Sequence, residues 1–233
     1  MGRQASSHCV MTERARLVAV MAAIAGLGAA APPASETWRF DRIDRLGSHR
    51  TTILGHPRLI ETPKGKAVEF NGKDDALFVD VHPLAGAEAF TMEIIFRPDP
   101  GGAPEQRFFH MQENDVATRL LLEIRVIGDR WCLDGYGHSG ETGLTLIDRE
   151  KLFPLGAWYQ AALVYDGREL RTYVNGVLQA SGAVRLAPQG AGRTSVGTRI
   201  NRVDYFKGAV LMVRMSRKAL APAELLKVDS RLR

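Results

Sequence analysis

Asn71-Gly72, Gly128-Asp129, Asp166-Gly167 and Asn175-Gly176 each separate runs in which apolar and polar residues alternate. No other feature of the chain constrains its fold as strongly. Asn-Gly and Asp-Gly pairs supply the positive φ angles that tight hairpins need. The runs around them, such as "KAVEFNGKDDALFVDV", "AFTMEIIFRPD", "RFFHMQ", "RLLLEIRVIGDRWCLDGY", "WYQAALVYDGRELRTYVNGVLQASG", "TSVGTRI" and "FKGAVLMVRMS", have the period of two that belongs to strands. One short segment near the end, "APAELLKV", reads as a helix with Pro222 in its first turn. No long helix alternates with a strand, which argues against a parallel α/β fold. Roughly ten or more short strands in one series predict an all-β chain, a two-sheet antiparallel β-sandwich with a short C-terminal helix.

The N-terminus reads differently. "MTERARLVAVMAAIAGLGAAAPPAS" has a basic start (Arg14, Arg16), an apolar stretch from Leu17 to Ala31, and small residues before Pro32-Pro33. That is the layout of a secretory signal peptide, here residues 1–30 with Met11 as a plausible true start, followed by a linker over 31–37 and the sandwich over 38–233. The apolar stretch is too short and small-sided for a stable membrane span. The expected location is therefore outside the cytoplasm, secreted or in the periplasm and cell envelope. Cleavage would remove Cys9 and leave Cys132 as the only thiol, so no intrachain disulfide or cysteine metal site is expected. The net charge of +5 would fall by two. No basic run carries interleaved aromatics, so a nucleic-acid partner is not expected.

Three stretches, in order, carry a resemblance. "FNGKDDALFVD" with "FTMEIIFRP", then "LGAWYQAALVYDGRELRTYVNGVLQASG", then "SVGTRINRVDYFKGAVLMVRMSRKALAPAELL" resemble the opening, centre and end of laminin-G-like, concanavalin A-like jelly-roll domains. The resemblance implies two stacked sheets, one of them concave, and a family used mainly to bind glycans or partner proteins outside the cytoplasm, with a minority of enzymes. It also implies an acidic pair in the last core strand, where this chain has Leu211-Met212. That departure removes one potential calcium ligand. Asp74, Asp75 and Asp80, or Glu113, Asn114 and Asp115, offer oxygens, but no ligand motif joins them, and no cofactor is expected.

Catalysis finds little support. Glucanases that this fold resembles carry Glu-x-Asp-x-x-Glu on one strand face. Here only Glu113-Asn114-Asp115 begins the pattern, and Thr118 stands where the second Glu belongs. A faint similarity to alginate lyases would give Tyr205, Arg125 and His138 the roles of base, neutraliser or acid, but their Gln-x-His motif is absent.

A set of polar residues inside strands remains. Alternation puts Glu123 and Arg125 on one face of their strand, His110 and Gln112 with Phe108 on one face of another, and Asp134, Tyr136 and His138 on a third. Arg199 and Asn201 follow at the same period. If the strands are neighbours, His110, Gln112, Glu123, Arg125, Asp134, Tyr136, Arg199 and Asn201 share one sheet face. Such a face can hydrogen-bond sugar hydroxyls, and its arginines favour a carboxylate or sulfate. The sequence thus predicts an exported, non-catalytic domain that binds a glycan or cell-surface polysaccharide, acidic if the arginines are engaged. A polysaccharide-degrading enzyme and a protein-interaction or envelope module are the alternatives.

Overall fold

In a computed structural model, residues 1–2 and 33–232 are described, and the expected signal segment and its cleavage site lie outside the described residues. In chain order the strands are β1 (Ser35–Arg39), β2 (Arg45–Leu46), β3 (His49–Arg50), β4 (Thr52–Leu54), β5 (Arg58–Thr62), β6 (Gly65–Asn71), β7 (Ala76–Val79), β8 (Phe90–Pro98) and β9 (Glu105–Glu113). The series continues with β10 (Arg119–Ile127), β11 (Arg130–Ser139), β12 (Thr142–Ile147), β13 (Phe153–Pro154), β14 (Tyr159–Tyr165), β15 (Glu169–Val174), β16 (Val177–Ala183), β17 (Gly192–Val196) and β18 (Lys207–Ser216).

They form two eight-stranded antiparallel sheets and a small hairpin of β2 and β3. The first sheet runs β16-β15-β14-β8-β18-β6-β5, with β1 continuing along β18. The second runs β12-β11-β10-β9-β17-β7-β4, with β13 beside β11. This is the expected two-sheet sandwich. Because β1 already pairs Ser35 with Ser216, the chain joins the sheet inside the expected 31–37 linker.

Local chemistry accounts for the hairpins. Asn175 (φ 51) and Gly176 (φ 78) close β15 onto β16 in the left-handed region that Asn and Gly tolerate. Asp166 caps its turn by accepting the backbone N–H groups of Arg168 and Glu169. Gly208 explains the aromatic-x-Gly pattern of "FKG". A Cβ there would lie 2.1 Å from the Arg97 carbonyl oxygen and 2.5 Å from the Phe206 ring, and its φ of 152 suits glycine alone.

Aromatic residues from both sheets fill the core. Phe96 of β8 stacks on Phe108 of β9 at 4.4 Å and meets Trp131 of β11 edge-on at 5.3 Å. Trp38 is wholly buried in the same cluster.

The outer face of the first sheet is also covered. Leu220, Leu225, Val228 and Leu232 of the C-terminal segment are buried in clusters with Ala67, Ile95, Trp158, Leu211 and Tyr173. This segment corrects the expected helix over "APAELLKV", which is reduced to a single 3-10 turn at Pro222–Glu224, with a second such turn beyond it at Ser230–Leu232. Leu225 turns extended so that it can be buried and so that Leu226 N–H can reach the Glu93 carboxylate, 2.7 Å away. Arg214 holds the Glu224 carbonyl at 2.7 Å. Tertiary contacts thus override a weak helical preference. Among the described residues, no helix is long and apolar enough to cross a membrane.

Candidate functional site

The outer face of the second sheet carries the polar residues. Strand pairing sets them in rows. Gln112 on β9 stands opposite Arg119 on β10 and Arg193 on β17, and Arg119 stands opposite His138 on β11. The next row holds His110, Leu121, Tyr136 and Ser195, and the one after it Glu123 and Asp134. The expected juxtaposition of Gln112, His110, Glu123, Arg125, Asp134 and Tyr136 on one face is present in this register.

Two details differ from simple alternation. Between Leu122 and Glu123 the β9–β10 register slips, so that Leu122 pairs with Phe109 and Glu123 with Arg107. Phe108 is the extra residue of this bulge, and it lies in the core rather than beside His110. The bulge brings Arg107 onto the polar face in its place. Arg199 and Asn201, expected on a strand, lie instead on the loop from Gly197 to Phe206, because β17 ends at Val196 and Gly197 has φ 93. Phe206 N–H closes this loop onto the Gly197 carbonyl at 2.8 Å. Arg202 (φ 61) and Asp204 (φ 54) hold left-handed backbone angles within it.

The eight expected residues then divide into three groups. Glu123, Arg125 and Asp134 form an ion cluster completed by Arg107, Glu105 and Asp204. Arg107 Nε lies 3.0 Å from Glu123, and its guanidinium also pairs with Asp204. Arg125 lies 2.8 Å from Asp134, 3.4 Å from Glu123, and pairs with Glu105. Burial pushes Glu123 up to about 7, with the neighbouring Asp134 charge adding to the rise and the two guanidiniums opposing it. Burial likewise raises Asp134, against the Arg125 hydrogen bond. Arg125 is therefore a neutralising group within the face, engaged by three carboxylates.

His110 is the second group. It is wholly buried, and the Ile200 N–H of the 197–206 loop donates to its Nδ1 at 3.2 Å. The proton of a neutral ring then sits on Nε2, which has no hydrogen-bond partner among the described residues. Burial first, then the charges of Arg199 and Arg119, hold this histidine well below its ordinary range, so it is neutral at pH 7.

The third group is open to solvent. Gln112 and Arg199 line a shallow depression of about 440 Å³ with Arg119, Arg193, Asp115 and the Val116–Ala117 turn. Gln112 Nε2 donates to the Val116 carbonyl at 2.7 Å, and its side-chain oxygen accepts no hydrogen bond among the described residues. Half-buried Tyr136 has the Arg119 guanidinium over its ring at 4.8 Å and stacks beside His138. Asn201 is exposed on the loop. Among the described residues, every ion pair on this face uses Arg107 or Arg125. Arg119, Arg193 and Arg199 have no carboxylate partner among the described residues, and the Nε atoms of Arg119 and Arg199 are buried without a hydrogen bond. Sequence reasoning missed Arg107, Arg119 and Arg193. The paired aromatics of "RFFH" were the available sign that alternation breaks next to Arg107.

Among the described residues, no group of three metal-ligating side chains converges. Asp75 accepts the N–H groups of His56 at 2.6 Å and Asn71 at 3.0 Å, and Glu113 accepts that of Gly190 at 2.8 Å, so both acidic turns serve the backbone.

The family model described as "Concanavalin A-like lectin/glucanases superfamily" matches residues 71–226, and the chain belongs to that family. The binding domain of Paraclostridial Mosquitocidal Protein 1 is similar at 11% identity and a TM-score of 0.60, over 81% of this chain and 49% of that one. Trypanosoma rangeli sialidase, in complex with 2,3-difluorosialic acid, is similar at 13% identity and a TM-score of 0.60, over 81% of this chain and 31% of that one. The SAP-like pentraxin of Limulus polyphemus is similar at 15% identity and a TM-score of 0.54, over 67% and 77%. The chain spans half or less of the first two proteins, and at these identities the likeness is one of fold. No curated protein matches the sequence.

Proposed function

We propose that the chain is an exported, non-catalytic carbohydrate-binding domain whose ligand, an acidic glycan, lies across the outer face of the second sheet. One observation carries this reading. Arg119, Arg193 and Arg199 surround an open depression with Gln112, next to the Tyr136 ring, and none of the three is neutralised by a carboxylate among the described residues. Guanidinium groups, an amide and an aromatic ring on a rigid sheet are the groups that recognise sugar hydroxyls and acidic substituents. The opposite face of the sandwich is closed by the C-terminal segment, which leaves this one available. Membership of a lectin/glucanase superfamily is consistent with a glycan ligand.

The same geometry disfavours chemistry. Glu123 and Asp134 are the paired carboxylates of the face, yet both are buried and bridged by Arg107 and Arg125. Arg125, engaged by three carboxylates, is not free to neutralise a uronate as a lyase requires.

A glycan-array screen of the domain, with and without calcium, beside reducing-sugar and unsaturated-product assays, tests the reading. Retention of acidic glycans without product supports it. Product formation would return the enzyme alternative, and the absence of any retained glycan would favour a protein-interaction module.

A further inference from the structure

The ion cluster and the depression treat their charges in opposite ways. Arg107 and Arg125 are surrounded by Glu105, Glu123, Asp134 and Asp204. A short way along the same face, Arg119 Nε, Arg199 Nε and His110 Nε2 are buried with no partner among the described residues. All three are donors. Two belong to permanently charged groups, and the third is fixed as a donor because the Ile200 N–H occupies the other ring nitrogen. A buried donor left unpaired loses its hydrogen bonds to water without replacement, at greater cost when it is charged. Three in one neighbourhood therefore point to an absent acceptor rather than to an accident of packing.

The groups are brought together by the fold. Arg119 sits in the row of Gln112 and Arg193, and His110 lies one same-face position along β9 from Gln112. Along a strand that step is about 7 Å. The loop that carries Arg199 crosses His110 through the Ile200 hydrogen bond. Its path is fixed by the Thr198 hydroxyl on the Val203 carbonyl at 2.8 Å and by the Asp204–Arg107 pair. Arg119 and Arg199 both line the depression, so an occupant of it meets their guanidinium groups from solvent, whereas their Nε atoms and His110 are themselves closed to solvent. The one carboxylate on that rim, Asp115, is exposed at the β9–β10 turn and makes no ion pair with these arginines. A neutral acceptor would satisfy the hydrogen bonds and leave the charge, whereas an oxyanion satisfies both.

We infer that Arg119, Arg199 and His110 form a seat for a single oxyanion, the carboxylate of a uronic-acid residue, with Arg193 and Gln112 at its rim. The inference rests on the glycan reading above and deepens it: the acidic group is the anchor, and the hydroxyl contacts are secondary. His110 acts as a neutral donor, so the seat does not depend on histidine protonation. Burial and the two neighbouring guanidiniums keep the ring neutral.

The test compares tri-galacturonate, neutral galactotriose and inorganic sulfate as ligands for the wild type and for Arg119→Gln, Arg199→Gln and His110→Gln, each checked for an unchanged thermal midpoint. The expected result is stronger binding of the acidic trisaccharide than of the neutral one. Each arginine variant should weaken acidic binding by about tenfold to a hundredfold and weaken neutral binding much less, so that the preference for the acidic trisaccharide is lost. The His110 Nε2–H resonance should also shift when tri-galacturonate or sulfate is added, a readout that does not need the His110 variant to fold. Equal binding of neutral and acidic trisaccharides that ignores both arginine changes overturns the oxyanion seat and leaves the glycan reading standing. Binding of sulfate with the histidine shift, but of no oligosaccharide, leaves an oxyanion site and overturns both the uronate assignment and the glycan reading. Silence toward all three ligands overturns both.

Discussion

Arg107 on β9 and Glu123 on β10 face each other across a β-bulge, with 3.0 Å between Arg107 Nε and Glu123 Oε2. The extra residue, Phe108, turns into the core and stacks on Phe96. One irregularity therefore both locks the two sheets and supplies the cation that Glu123 requires. Arg107 shares with Arg125 the neutralisation of Glu123 and Asp134, two buried carboxylates opposite each other in register.

Glu123 is held up to about 7 in the folded chain, above its ordinary carboxylate value of 4.5. Between those values the folded state keeps a proton that the unfolded state has lost. By linkage this group's contribution to stability then falls as pH rises through that window and is flat above it. Chemical denaturation from pH 4.5 to 8 should show the decline, and Glu123→Gln should remove it. An unchanged slope in the variant would contradict the assignment.

Arg125 should behave as a support rather than a ligand contact. Arg125→Ala leaves Glu123 and Asp134 short of a cation, a loss of about 3–5 kcal/mol for a broken buried pair. The deficit should shrink on acidification, because protonating the two carboxylates removes the uncompensated charge. A variant that keeps its thermal midpoint at pH 8 but loses glycan would show that Arg125 touches ligand instead.

Glu93 fastens the C-terminal segment. Its carboxylate is wholly buried, takes Arg214 Nε at 2.6 Å and accepts the Leu226 N–H at 2.7 Å. Glu93→Ala should free residues 220–232 and expose Trp158, seen as lost hydrogen-exchange protection in that segment and a red-shifted tryptophan emission. Protection equal to the wild type would mean that the apolar contacts of Leu225, Val228 and Leu232 hold the segment by themselves.

Gly208 tests the reading of the "FKG" pattern. A methyl group at Gly208 would meet the Arg97 carbonyl oxygen at 2.1 Å and would need a left-handed φ. Gly208→Ala should therefore cost about 2 kcal/mol or more, through strain and a shifted β8–β18 pairing. A thermal midpoint equal to the wild type would refute this.

The sandwich was legible because its signals are local. Period-two runs and turn pairs such as Asn175-Gly176 are written within a few residues of the hairpins they form. The shared face of His110, Gln112, Glu123, Asp134 and Tyr136 followed from the same alternation, once the strands proved to be neighbours. What escaped was non-local. The burial of His110 depends on Ile200, ninety positions away in the chain, and the status of Arg125 depends on Glu105 and Asp134 from flanking strands. Alternation also fails at a bulge, which is why Phe108 was expected on the wrong face and Arg107 was passed over. The C-terminal "APAELLKV" has the composition of a helix, but Glu93 and Arg214 draw it out along the sheet.

In the proposed function, the ligand meets the outer face of the second sheet through Arg119, Arg199, His110 and Gln112. Titration of the isotope-labelled domain with tri-galacturonate, followed through the side-chain N–H signals of arginine, glutamine and histidine, addresses this directly. The predicted result is a set of shifts in the Nε–H signals of Arg119 and Arg199, the Nε2–H of His110 and the amide of Gln112, with Arg107 and Arg125 unmoved. Shifts confined to the covered sheet, or to the Arg107 and Arg125 cluster alone, would contradict it.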